Sequence, residues 1–137
     1  MGQWYSICAN IKPKKGKAQE AVAKYNAIVK EMVDSGEANF GDNRKPVRSV
    51  VGIQKELFAE KQGDFRFENG TCYSCFHGSY GWEWVMESVF YGLAHLLEDG
   101  SLEMDMDEGC RTMTVVSGSV REGWEDNEPD EDNNNGQ

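Results

Sequence analysis

The stretch FRFENGTCYSCF, residues 65–76, decides the fold. Apolar and polar residues alternate on both sides of Asn69-Gly70. This dipeptide favours a type I′ hairpin turn, because both central residues of such a turn need a positive φ. The implied register puts two pairs on one face and one on the other: Phe67 with Cys72 and Phe65 with Ser74, then Arg66 with Tyr73. The stretch therefore predicts two antiparallel strands in the middle of the chain.

Helical periodicity is found on both sides of this hairpin. Residues 17–35 repeat apolar side chains at i, i+3, i+4 and i+7, and Gly36 follows where a C-terminal glycine cap belongs. A second helix is predicted over residues 49–62. A third is predicted over residues 82–99 and ends before Gly100.

Strand patterns complete the order of elements. Residues 4–11 alternate with a two-residue period, and residues 111–117 return as a last strand. Residues 102–107 alternate cleanly, with Leu102, Met104 and Met106 on the inner side. The order β-α-(α)-β-β-α-β-β predicts an α+β fold. Without the extra helix and the last strand it is a ferredoxin-like split βαβ arrangement, an antiparallel sheet with helices on one face.

Length and composition predict one domain over residues 1–120, followed by a disordered acidic tail over residues 121–137. The chain of 137 residues is 39% hydrophobic, enough for one core. The tail contains Trp124 as its one large apolar residue and cannot offset the entropy of ordering. No apolar run reaches the roughly 20 residues of a membrane span, and no signal-peptide pattern opens the sequence. With four cysteines interpreted as reduced thiols, the expected location is the cytoplasm.

Charge is distributed unevenly along the chain. Residues 1–62 contain eleven Lys/Arg and seven Asp/Glu, a net charge of +4. Residues 63–120 contain two and ten, a net charge of −8, and residues 121–137 contain one and seven, a net charge of −6. Such asymmetry predicts a basic partner and influences association rate rather than fold.

The cysteines and histidines do not form a metal or catalytic motif. Cys72-x-x-Cys75 lies beside His77, with Cys110 far along the chain, whereas a structural zinc site usually needs two close pairs. On a strand, Cys72 and Cys75 also project to opposite faces. His95 belongs to no recognisable motif, and the glycines do not match a phosphate-binding loop. We therefore expect no metal, no cofactor and no enzymatic activity.

Carboxylates are the candidate partner-binding residues. Along the predicted strand they lie at i, i+2 spacing, about 7 Å apart, which is close to the separation of successive phosphates in a nucleic acid strand. Trp124 either covers a sheet edge or anchors a partner. The predicted binding residues are Glu83, Glu87, Glu103, Asp105, Asp107, Glu108 and Trp124.

These observations predict a non-enzymatic acidic binding or inhibitor protein. It would occupy a basic, nucleic-acid-binding surface of a partner protein by nucleic-acid mimicry, as anti-defence proteins of phages and mobile elements do. An accessory or structural interaction module, or a toxin-immunity protein, is the alternative. A Cys/His metal-binding protein is a third interpretation. Direct nucleic-acid binding is not expected, because the basic turn at residues 12–17 is outweighed by negative charge. A membrane is not expected either, because no apolar run is long enough.

Overall fold

The computed structural model describes residues 2–58 and 64–126, with Asp64 described by its backbone alone. Within these residues the chain forms six strands, three α-helices and one short 3₁₀ helix. The elements are β1 (Gly2–Ala9), α1 (Ala18–Asp34), α2 (Val50–Phe58), β2 (Asp64–Glu68), β3 (Thr71–Ser79), α3 (Trp82–Leu93), the 3₁₀ helix (Ala94–Leu96), β4 (Gly100–Asp105), β5 (Gly109–Val116) and β6 (Ser119–Asp126). None of the described helices has the length and apolar composition needed to cross a membrane.

All six described strands form one antiparallel sheet in the order β2-β3-β1-β4-β5-β6. The predicted α+β class and antiparallel sheet are confirmed. The sheet contains one strand more than predicted and is larger than a ferredoxin-like sheet. Strand β1 lies near its centre, between β3 and β4.

The two faces of the sheet differ in burial because side chains alternate along each strand. On β1, Tyr5, Ile7 and Ala9 are buried and join one hydrophobic core with the apolar sides of the three helices. The opposite face carries Trp4, Ser6 and Cys8 and is exposed or half-exposed. We call it the open face.

The hairpin at residues 65–76 has the predicted register. Asn69 and Gly70 have φ values of 51° and 79°, as a type I′ turn requires. Phe67 pairs with Cys72, and the Arg66 guanidinium carbon lies 4.6 Å from the centre of the Tyr73 ring on the open face. The local sequence was sufficient to predict this element.

The helix predicted over residues 82–99 is shorter than expected. The α-helix ends at Leu93, and the chain is extended at Leu97. Here the backbone pairs with the segment after β1: the amide of Lys14 donates to the carbonyl of Leu96, and the amide of Glu98 donates to the carbonyl of Lys12, both at 2.8 Å. These long-range bonds replace the last predicted turn. The described part of the second helix ends at Phe58, and the rest of that prediction lies outside the described residues.

Strand β6 corrects the predicted start of the tail. Ser117 and Gly118 both have positive φ and turn the chain back, so that Val120 pairs with Val115 and Trp124 with Arg111. Residues 121–126, which we assigned to the tail, therefore belong to the sheet. The rest of the predicted tail, residues 127–137, lies outside the described residues.

Gly109 allows β6 to pack closely at this edge. A Cβ at Gly109 would lie 2.5 Å from the Glu125 carbonyl oxygen and 2.6 Å from Cζ2 of Trp124, whereas a Cβ at Gly123 would have no neighbour within 4 Å. We expect Gly109→Ala to lower the free energy of unfolding by about 1–3 kcal/mol through overpacking. Urea unfolding checks this, with Gly123→Ala as the control within about 0.5 kcal/mol. Equal stability of the two variants would contradict the close approach.

Candidate partner-binding surfaces

The seven predicted binding residues are distributed over two sides of the molecule. Glu103 and Asp105 lie on the open face, because they alternate with the buried Leu102 and Met104 of β4. Glu83 and Glu87 lie on α3, which covers the other face. Trp124 shares the register position of Arg111, also on the helix side. Exposed Asp107 and Glu108 lie in the β4–β5 connection, between the two sides.

Carboxylates converge on the open face near the β4–β5 turn. Asp105 pairs with Cys110, and Cys110 pairs with Glu125 on β6, so these three side chains form one row across the sheet. Neighbouring strands are about 4.8 Å apart, which places the two carboxylates of the row about 10 Å from each other. We call Glu103, Asp105, Asp107, Glu108 and Glu125 the acidic patch.

The thiol of Cys110 reports on the electrostatics of this patch. Its pKa is raised first by burial and then by the negative charges of Asp105, Glu103 and Glu125. The pKa of Cys8 is raised by burial and by Glu103. The carboxylates of three residues on two strands therefore act on the same point of the open face.

Few counter-charges lie beside the acidic patch. In the part of the chain that the structure describes, Glu103, Asp107, Glu108 and Glu125 make no ion pair. Two arginines share the open face: Arg66 pairs with Glu68, 3.0 Å away, and Arg121 lies opposite Thr114. Because these carboxylates are not neutralised by neighbours, they are available to an external cation.

Arg111 holds together a second group of carboxylates, on the helix side. Its side chain is 13% exposed and reaches Glu83 at 2.9 Å, Glu87 at 3.3 Å and Glu122 at 2.8 Å. The hydroxyl of Tyr91 also donates to Glu122. Glu83 and Glu87 are thus partly neutralised within the fold, which the linear sequence could not indicate because it does not specify how α3 packs beside β5.

The thiols and histidines do not converge on one point of the described structure. Cys72 is buried, and burial with a smaller effect from Cys8 raises its pKa to about 12. Cys75 and His77 are exposed on the open face, and Cys110 lies on β5, three strands from β3. No group of three or more His, Cys, Asp or Glu side chains in the described residues could hold a metal ion.

Exposed aromatic side chains surround α3 and the β6 edge. Tyr80 is 56% exposed, Trp84 59% and Trp124 50%, and Tyr91 is exposed as well. The sequence analysis identified only Trp124 among them. The available indication was that Trp84 and Tyr91 fall outside the buried stripe of α3.

Comparison of the chain with protein-family models, with curated proteins and with solved structures gave no match in any of the three. We therefore infer function from the geometry and charge of these surfaces.

Removing the guanidinium of Arg111 tests the helix-side ion cluster. Because three carboxylates would lose their shared partner, Arg111→Leu should lower the free energy of unfolding at pH 7 by about 1–3 kcal/mol, less than for a fully buried pair because the carboxylates are about one-third exposed. The exposed Arg121→Leu is the matched control, expected within about 0.5 kcal/mol. An equal effect of both variants in urea unfolding would contradict the cluster.

The same cluster makes stability depend on pH. Hydrogen bonds from Arg111 and Tyr91 lower the pKa of Glu122 below its ordinary 4.5. A lowered folded-state pKa contributes stability that is complete above the unfolded value and is lost as the pH falls through the folded value. Unfolding measured from pH 6 to pH 3 should show this loss in the native chain and a shallower dependence in Glu122→Gln. Parallel curves for the two proteins would contradict the assignment.

Alkylation of Cys110 tests the convergence of the acidic patch. Asp105→Asn combined with Glu103→Gln should lower the pKa of Cys110 and accelerate its reaction with iodoacetamide at pH 8, because the thiolate is the nucleophile. The difference should shrink in high salt. Glu68→Gln, on the same face at the far edge of the sheet, is the control. Peptide mapping gives the rate for each thiol, and an unchanged Cys110 rate would contradict the convergence.

Proposed function

We propose that this protein is a non-enzymatic binding protein that occupies a basic, nucleic-acid-binding surface of a partner protein. The observation that carries the proposal is the acidic patch. It presents exposed carboxylates on a regular strand frame, and the described residues offer most of them no internal counter-charge.

The spacing of the patch supports nucleic-acid mimicry. Glu103 and Asp105 are two residues apart on one strand, about 7 Å, and Glu125 extends the negative charge across the sheet. Nucleic acids present a regular array of negative charge, which Lys/Arg-lined grooves are built to receive. A protein surface with similar spacing is attracted to such grooves electrostatically.

A ferredoxin-like core with two added strands is part of the proposal. Its support is the order β2-β3-β1-β4, with α1 and α3 connecting strands that are not neighbours. In such a core one face of the sheet stays without helices, and here that face carries the patch. We place the protein in the cytoplasm, where free thiols such as those of its four cysteines stay reduced. Anti-defence inhibitors of phages and mobile elements, and toxin-immunity proteins, are the classes this activity would fit.

A charge-reversal series tests the proposal. After capture of a partner from a cell lysate, the dissociation constant is measured for the native chain and for Glu103→Lys/Asp105→Lys/Glu125→Lys, none of which lines the helix-side clefts. We expect at least a tenfold loss of affinity for the variant, about 1.4 kcal/mol. Affinity of the native chain should fall steeply between 50 and 200 mM salt, and duplex DNA or RNA should compete for the partner.

The matched control reverses three exposed acidic residues elsewhere: Glu20→Lys/Glu31→Lys/Asp42→Lys changes the net charge equally. If both variants lose affinity equally, net charge rather than the patch binds the partner. If nucleic acid does not compete, the protein is an accessory module and not a mimic. Circular dichroism confirms that each variant is folded.

A further inference from the structure

A groove lies on the helix side of the molecule, away from the open face. One cleft of about 640 Å³ is lined by Trp84 and Glu37, and a smaller one of about 170 Å³ is lined by Trp124 and Glu108. Both clefts share Tyr80 and Glu83 as walls, so they lie side by side, and we call the pair the groove. The larger volume falls within the range of about 300–1,000 Å³ that is typical of ligand sites.

Three aromatic side chains line this groove and remain exposed to solvent. Tyr80, Trp84 and Trp124 each expose half or more of their surface. Their indole and phenol rings present a large apolar area that internal packing does not use, and aromatic residues are enriched where partners bind.

Trp124 is held in place on the β6 edge. Its Nε1 donates to Asp126 Oδ1 at 2.6 Å. Its ring packs so closely on Gly109 that a Cβ there would lie 2.6 Å from the Trp124 Cζ2 atom. At the floor of the groove, buried Gln3 accepts a hydrogen bond of 3.4 Å from the Asp107 amide. The contacts with Asp126 and Gly109 restrain the Trp124 ring, and a restrained ring loses less conformational entropy on binding.

The charge of the groove selects a cation. Its lining contains one cation, Arg111, whose guanidinium is mostly buried and already shared among carboxylates. Arg111 partly neutralises Glu83 and Glu87, two of the five carboxylates that line the clefts. The other three, Glu37, Asp107 and Glu108, make no ion pair within the described residues. Negative charge beside exposed aromatic faces is the combination that attracts a cation to a π surface.

We propose that this groove binds an arginine side chain presented by a partner protein. A planar guanidinium stacks on an indole or phenol ring and can donate to a carboxylate at the same time. A lysine ammonium is compact and strongly hydrated and lacks this planar contact. The groove is a second site on the helix side. It shares Asp107 and Glu108 with the acidic patch but not Glu103, Asp105 and Glu125 of the open face, and its function does not depend on nucleic-acid mimicry.

Titration with a tetra-arginine peptide, followed by NMR, tests the proposal. The indole N–H resonance of each tryptophan reports binding near that side chain. Trp84 and Trp124 report on the groove, and Trp4, 56% exposed, reports on the open face. Trp82 is the internal reference, because it is buried and its Nε1 donates to the Leu57 carbonyl. We expect shifts at Trp84 and Trp124 and none at Trp82. Tetra-lysine should bind at least threefold more weakly, and tetra-citrulline, which lacks the charge, at least tenfold more weakly.

Substitutions identify the side of the molecule that binds the peptide. Trp84→Ala removes an exposed helix side chain and should weaken tetra-arginine binding at least fivefold, whereas Trp4→Ala, a tryptophan of similar exposure, should change it less than twofold. Glu103→Gln/Asp105→Asn/Glu125→Gln neutralises the open-face carboxylates without touching the groove lining and should also leave the affinity within twofold.

Three results would overturn the arginine site: unshifted Trp84 and Trp124 signals, unchanged affinity in Trp84→Ala, or tetra-lysine binding as tight as tetra-arginine. Loss of binding in the open-face variant alone would place the peptide on the acidic patch. That result would reject the groove and leave the proposed function standing. Conversely, the groove could bind tetra-arginine while the open-face charge-reversal variant keeps its affinity for the captured partner. That combination would reject mimicry and leave the arginine site standing.

Discussion

The pleat of strand β1 is the constraint on which both surfaces depend. β1 is hydrogen bonded to β3 on one side and to β4 on the other, so its two-residue alternation sets the alternation of its neighbours. Tyr5, Ile7 and Ala9 face the helices, and every residue in register with Ser6 or Cys8 faces away from them. A shift of one residue would bury the carboxylates of β4 and expose Leu102 and Met104, which the cost of burying charged groups forbids.

Arg111 divides the acidic residues of the folded chain into two populations. On the helix side, Glu83, Glu87 and Glu122 are held by its guanidinium and help to join α3 to the outer strands. On the open face, Glu103 and Glu125 beside Cys110 make no ion pair within the described residues. Carboxylates on the helix side thus serve stability, whereas Glu103 and Glu125 on the open face remain available for association.

The sequence predicted correctly those elements that depend on residues close together in the chain. Asn69-Gly70 specified its turn and register, and the alternation of residues 102–107 assigned Met104 and Glu103 to the correct faces. The failures share one cause, which is long-range pairing. Leu97 leaves the predicted helix because it pairs with Pro13. The sequence predicts a tail where β6 lies, because an edge strand that is exposed at every position except the half-buried Val120 needs few apolar residues. Long-range contacts also explain why the sequence did not predict Glu125 in the acidic patch or the ion pairs of Arg111 with Glu83 and Glu87.

The central position of β1 also governs the order of assembly. During synthesis β1 is made before either of its neighbours. Ile7 can pair only after Ser74 of β3 and Met104 of β4 have been synthesised. Contacts between residues so distant in sequence form slowly, because the loop entropy is lost before the pairing is gained. Until then β1 has two unpaired edges beside an apolar face, which makes the nascent chain vulnerable to association with other chains. The α1 helix, which can bury its stripe against that face early, would shield β1 during this interval.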